Sequence, residues 1–67
     1  MPVQNRLKDF RSNVGLNQQE MGERVGVSRQ TISLIERGDY SPSVTLALKI
    51  ARFFETTVEE IFIYEED

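Results

Sequence analysis

Residues 16–37, LNQQEMGERVGVSRQTISLIER, describe two short helices hinged at Gly26. Asn17 followed three residues later by Glu20 has capping-box spacing, so the first of the pair starts just after Asn17. Met21 and Val25, four apart, share its inner face, and Gly22 beside Met21 permits close helix contact at some cost in helix propensity. Gly26 stops this helix and Val27 enters the core. Ser28 then caps a second helix over residues 29–37, buried through Ile32 and Ile35 and closed by Gly38.

Working outward, residues 6–13 read as a helix with Asn5 as N-cap, Leu7, Phe10 and Val14 as its inner stripe, and Gly15 as its end. On the other side, Asp39, Tyr40, Ser41 and Pro42 form a loop. Ser43 caps a helix over 44–54 whose inward face takes Val44, Ala47, Leu48, Ile50, Ala51 and Phe54. A last short helix follows Thr57, where Glu60 repeats the cap-box spacing, and Val58, Ile61 and Phe62 close the core. The tetrapeptide IFIY at 61–64 also reads as a short strand, beside which Val3 can pair. No repeat, linker or low-complexity segment interrupts the chain. Residues 1–67 are therefore expected to form a single all-α domain of five helices, with room for short terminal β-strands.

Sixty-seven residues lie near the lower limit for one apolar core. With no cysteine and no histidine, neither a disulfide nor a zinc or haem site is expected. The apolar runs are too short to span a membrane, the N-terminus lacks a signal-peptide segment, and a cytoplasmic location is the default. The net charge of −3 argues at first against a polyanionic partner. Its distribution reverses that argument. All eight basic residues lie in residues 1–54 beside five acids, a local +3, whereas 55–67 carry six acids and no base. A mildly basic body with an acidic end can face a duplex on one side; a neutral interaction module with solvating charges is the other reading.

A helix, a short glycine-containing turn and a second helix is the arrangement that sets one helix in the major groove, although a plain αα-hairpin shares it. The outer face of the helix over 29–37 separates the two. Opposite Ile32 and Ile35 lie Gln30, Ser33, Leu34 and Arg37, with Arg29 beside them. Arg29 matches guanine O6 and N7, Gln30 matches adenine N6 and N7, and Leu34 suits a thymine methyl, each bidentate pair giving roughly 1–3 kcal/mol of discrimination. A solvated first turn is the plainer account of Arg29 and Gln30. For the phosphate backbone the candidates are Gln18 at the start of its helix, and Arg37 and Tyr40 flanking Gly38; Asp39 opposes them. Glu36, toward the edge of the buried face, and Arg11, next to Phe10, are expected to pair and tie the helix over 6–13 to the helix over 29–37.

These residues resemble the Cro and phage-repressor type of helix-turn-helix proteins, the XRE family. The resemblance covers about residues 7–62 and is specific in LNQQEMGERVGVSRQTISLIERG and in SPSVTLALKIARFF. It implies a compact, all-helical, repressor-like fold, with the helix-turn-helix at 18–37. It further implies a prokaryotic transcription regulator, most often a repressor, that binds double-stranded operator DNA as a homodimer without a cofactor. The family pattern places its phosphate-contacting glutamine at Gln18, base readers at Arg29, Gln30 and Leu34, the internal arginine and glutamate at Arg11 and Glu36, and a backbone contact at Arg37. Two positions depart from it: Gly22 stands where alanine is usual, and Asp39 where a polar or basic residue is common.

One reading helix offers few base contacts, so chemistry favours a dimer on a palindromic site with half-sites about 34 Å apart. Leu46 and Phe53, away from the centre of their helix's inner stripe, and Ile63 and Tyr64, beyond the last helix, are expected to form the dimer patch. Alternatively, Phe53 and Tyr64 complete a small core. An enzyme is not expected: there is no cysteine or histidine, no carboxylate pair in an expected cleft and no glycine-rich phosphate loop after a strand. Nor is a small-molecule substrate expected. The stronger rival is an antitoxin-like protein-binding module that also regulates its own operon.

Overall fold

Hydroxyl and amide side chains set where the helices begin. In the computed structural model, which describes residues 4–64, strand β1 (Gln4–Asn5) is followed by α1 (Leu7–Asn13), α2 (Gln18–Val25) and α3 (Arg29–Glu36). Helices α4 (Val44–Phe53) and α5 (Val58–Ile61) and strand β2 (Phe62–Ile63) complete the chain. Asn17, Ser28, Ser43 and Thr57 each accept the backbone N–H three residues on, from Glu20, Thr31, Leu46 and Glu60. At Asn17 the box is reciprocal, since its own N–H donates to Glu20 Oε1 at 2.9 Å. Asn5 does not cap from the expected position: Arg6 is the N-cap residue, and Asn5 reaches over it to accept from the Leu7 N–H at 3.1 Å.

Leu7, Met21, Ile32, Ile35, Ile50 and Ile61 are fully buried and bring every helix into one core. Phe10, Leu16, Val27, Phe54, Val58 and Phe62 pack around it, with the Phe10 and Phe54 rings 5.4 Å apart. β1 and β2 pair antiparallel, Gln4 opposite Ile63 and Asn5 opposite Phe62, and fasten the two ends of the fold together. The expected terminal strands thus exist, although Val3 lies outside the described residues.

Four apolar positions differ from the sequence expectation. Val14 follows the last residue of α1 and is 55% exposed, because the helical stripe ends before it. On α4 the packed face is rotated toward Leu46, which joins the core at 8% exposure, while Val44 and Leu48 on the opposite flank stand in water. Leu46 is consequently a core residue and not part of an exposed dimer patch. Glu55, just past α4, adopts φ 57°, the left-handed conformation that glycines supply at the ends of α1, α2 and α3.

Gly22 sits where α2 meets the turn into α3. Its carbonyl accepts from the N–H groups of Gly26 and Val27 at 2.8 and 2.9 Å, and a Cβ there would collide with the Val27 carbonyl oxygen. The turn closes onto bare backbone. Gly22→Ala should therefore lower stability by about 1–3 kcal/mol, outweighing a helix-propensity gain of about 1 kcal/mol. Urea unfolding checks this; an equal or higher midpoint for the alanine variant would show that the turn yields freely.

Candidate nucleic-acid interface

Burial of Ile32 and Ile35 fixes the roll of α3 and so decides which side chains it turns outward. Arg29, Gln30 and Arg37 are exposed, and Ser33 and Leu34 are half-buried. Together with Gln18 at the first position of α2, these five line one shallow depression of about 290 Å³. Arg29 and Gln30 make no side-chain hydrogen bond or ion pair within the described residues, so their donors and acceptors are open to a ligand. Tyr40 does not line the depression; it stands on the following loop, 48% exposed. A larger groove along α4 and α5, about 960 Å³, contains none of these residues.

Gln18 connects the depression to a polar clamp. Arg11 donates through Nε to Glu36 Oε2 at 2.6 Å and through Nη2 to Oε1 at 3.1 Å, a two-pronged ion pair with side chains 12% and 6% exposed. Its remaining nitrogen, Nη1, donates to the Leu16 carbonyl at 3.0 Å. These hydrogen bonds to Glu36 raise the Arg11 pKa above its ordinary value, against the opposing effect of burial. Gln18 Nε2 then donates to Glu36 Oε1 at 3.0 Å. The structure thus joins Arg11 and Glu36 and adds Gln18, whose tie to Glu36 has no local signal in the chain.

Two further contacts escape sequence reading. Asn5 Nδ2 donates to the Ile35 carbonyl at 2.7 Å, so β1 holds the last turn of α3 across thirty residues of chain. Arg37 Nε lies 3.4 Å from Asp39 Oδ2, an ion pair with both side chains 61% exposed. The first has no local signal, because Asn5 looks like an ordinary cap. The second is foreshadowed only by opposite charges two residues apart, at Arg37 and Asp39.

A family model described as helix-turn-helix matches residues 7–61. An uncharacterized HTH-type transcriptional regulator of Methanocaldococcus jannaschii is 51% identical over 65 residues, covering 97% of this chain and 98% of that protein. The HTH-type transcriptional regulator YgzD of Bacillus subtilis is 46% identical over 65 residues, with coverage of 97% and 98%. Among solved structures, the P22 c2 repressor in complex with a synthetic operator superposes with a TM-score of 0.77 at 26% identity, over 81% of this chain and 82% of that one.

Removing one side of the clamp leaves a nearly buried charge without its partner. Arg11→Met should destabilise the domain by about 3–5 kcal/mol, and adding Glu36→Leu should recover much of the loss. Thermal and urea unfolding of the two variants measure both terms. A double variant no more stable than R11M would mean that packing, rather than the stranded carboxylate, carries the effect.

Proposed function

The chain belongs to the helix-turn-helix family of DNA-binding transcriptional regulators, and we propose that it acts as a dimeric repressor reading a palindromic operator through the major groove. The observation that carries this reading is the shared depression, which gathers Gln18, Arg29, Gln30, Ser33, Leu34 and Arg37 on one face. Core packing does not call for an exposed arginine and glutamine at the start of α3. Groove recognition does.

In this reading Arg29 and Gln30 present bidentate hydrogen-bonding groups to purine edges, Ser33 hydrogen-bonds a neighbouring base and Leu34 meets a thymine methyl. Gln18 keeps its carbonyl oxygen and one amide hydrogen after donating to Glu36, so it meets a phosphate from a fixed position. Arg37 and Tyr40 extend the backbone contacts beyond α3. The structural likeness to the P22 repressor, solved in complex with a synthetic operator, supports operator DNA as the ligand here. Repression requires only that the operator be occupied, which this surface supplies by itself in the cytoplasm of a prokaryotic cell.

Dimerisation supplies the second half-site. Phe53 and Tyr64, 38% and 72% exposed, and the half-buried Ile63 of β2 remain the apolar surface for it, without Leu46. No cofactor enters the scheme. No helix among the described residues is long and apolar enough to cross a membrane.

Base and backbone roles separate experimentally. Arg29→Ala and Gln30→Ala should each lose roughly 1–3 kcal/mol on the operator while relaxing preference at one base position. Gln18→Ala should weaken all sequences about equally. Titrations of operator and scrambled duplexes at one fixed salt concentration make the comparison, and an Arg29 variant that loses the same factor on both would contradict base reading by α3.

A further inference from the structure

The end of α3 is closed by backbone geometry that fixes an acid beside one of the reading cations. Gly38, at φ 80°, donates its N–H to the Ile35 carbonyl at 2.9 Å, and the Asp39 N–H donates to the Leu34 carbonyl at 2.9 Å. This double closure ties the loop back onto the last turn of α3. Asp39 is thereby anchored two residues from Arg37, and its carboxylate reaches the guanidinium Nε at 3.4 Å. Arg37 is at the same time a wall of the depression that holds Arg29 and Gln30.

We propose that Asp39 is an intramolecular stand-in for a DNA phosphate, holding Arg37 in the free protein and exchanging it for the backbone on binding. A carboxylate and a phosphate offer a guanidinium the same pair of acceptor oxygens. With both side chains 61% exposed, the pair lies in high dielectric and is weak enough to exchange. Glu36, the other acid at this end of α3, is already engaged by Arg11 and Gln18. Asp39 is therefore the competitor for Arg37 among the described residues. Arg29 and Arg37 are the two cations of the depression, so masking one of them halves its positive charge. The acid restrains non-specific attraction to DNA, which rests on such charges.

This inference rests on the DNA-binding reading, and its test uses a generic duplex so that the operator need not be known. Binding of the parent, Asp39→Asn, Arg37→Ala and the double variant is titrated across a salt series, with far-UV circular dichroism confirming that each is folded. Asp39→Asn should tighten binding about 3–10-fold with the slope of log K against log salt unchanged, because Arg37 reaches a phosphate in both proteins, whereas Arg37→Ala should flatten that slope by about 0.9. In the Arg37→Ala background Asp39→Asn should bring no such gain. An unchanged affinity for Asp39→Asn, or a gain fully kept without Arg37, overturns the exchange while leaving DNA binding intact. A parent that binds no duplex even at low salt overturns the DNA-binding reading itself, and this inference with it.

Discussion

The carboxylate of Glu36 holds three parts of the chain at once. It takes both prongs of Arg11 from α1 and the amide of Gln18 from α2, while Arg11 also claims the Leu16 carbonyl in the turn between them. Glu36 is the last residue of α3, so the clamp fixes the position of that helix relative to the start of α2. Burial of Ile32 and Ile35 decides which face of α3 turns outward, and the clamp adds hydrogen bonds whose direction apolar contacts do not specify. A largely enclosed ion pair of this kind offers little net stability, and directionality is the property it adds.

The remaining constraints act on the same helix. Asn5 anchors the Ile35 carbonyl, Gly22 lets the turn close directly onto α2, and Ser28 sets the first turn of α3. Positioning of this kind matters because a bidentate contact to a base edge depends on donor and acceptor directions that a loose helix does not preserve. The body of the molecule is in effect a holder for one eight-residue helix. Electrostatics then tunes what the holder presents: the cations lie on the body, and much of the acid lies at the C-terminal end.

Features with local causes were legible in the sequence. The caps at Asn17, Ser28, Ser43 and Thr57 depend on residues three apart, and the left-handed stops at Gly15, Gly26 and Gly38 depend on one residue each. Helix boundaries and the outward face of α3 followed from them. What depended on distant neighbours did not follow. An amphipathic pattern gives α4 a buried side, but which flank is covered depends on the helices around it, so Leu46 went inward and Val44 and Leu48 outward. Asn5 on Ile35 and Gln18 on Glu36 are polar contacts between segments far apart in the chain, and neither residue type announces its partner. Glu55 in the left-handed region shows a different limit, since the bonds from its own N–H to Arg52 and from the Thr56 N–H to Ala51 close α4 without the glycine that marks such an end.

The central claim is that α3 of two copies reads one symmetric stretch of duplex. Selection of bound fragments from a random duplex pool by the full chain, followed by sequencing, tests it most directly. The account predicts an inverted repeat whose half-sites are centred about 34 Å apart, one duplex turn. Recovery of only single, unpaired half-sites, or of no common sequence at low salt, would contradict it.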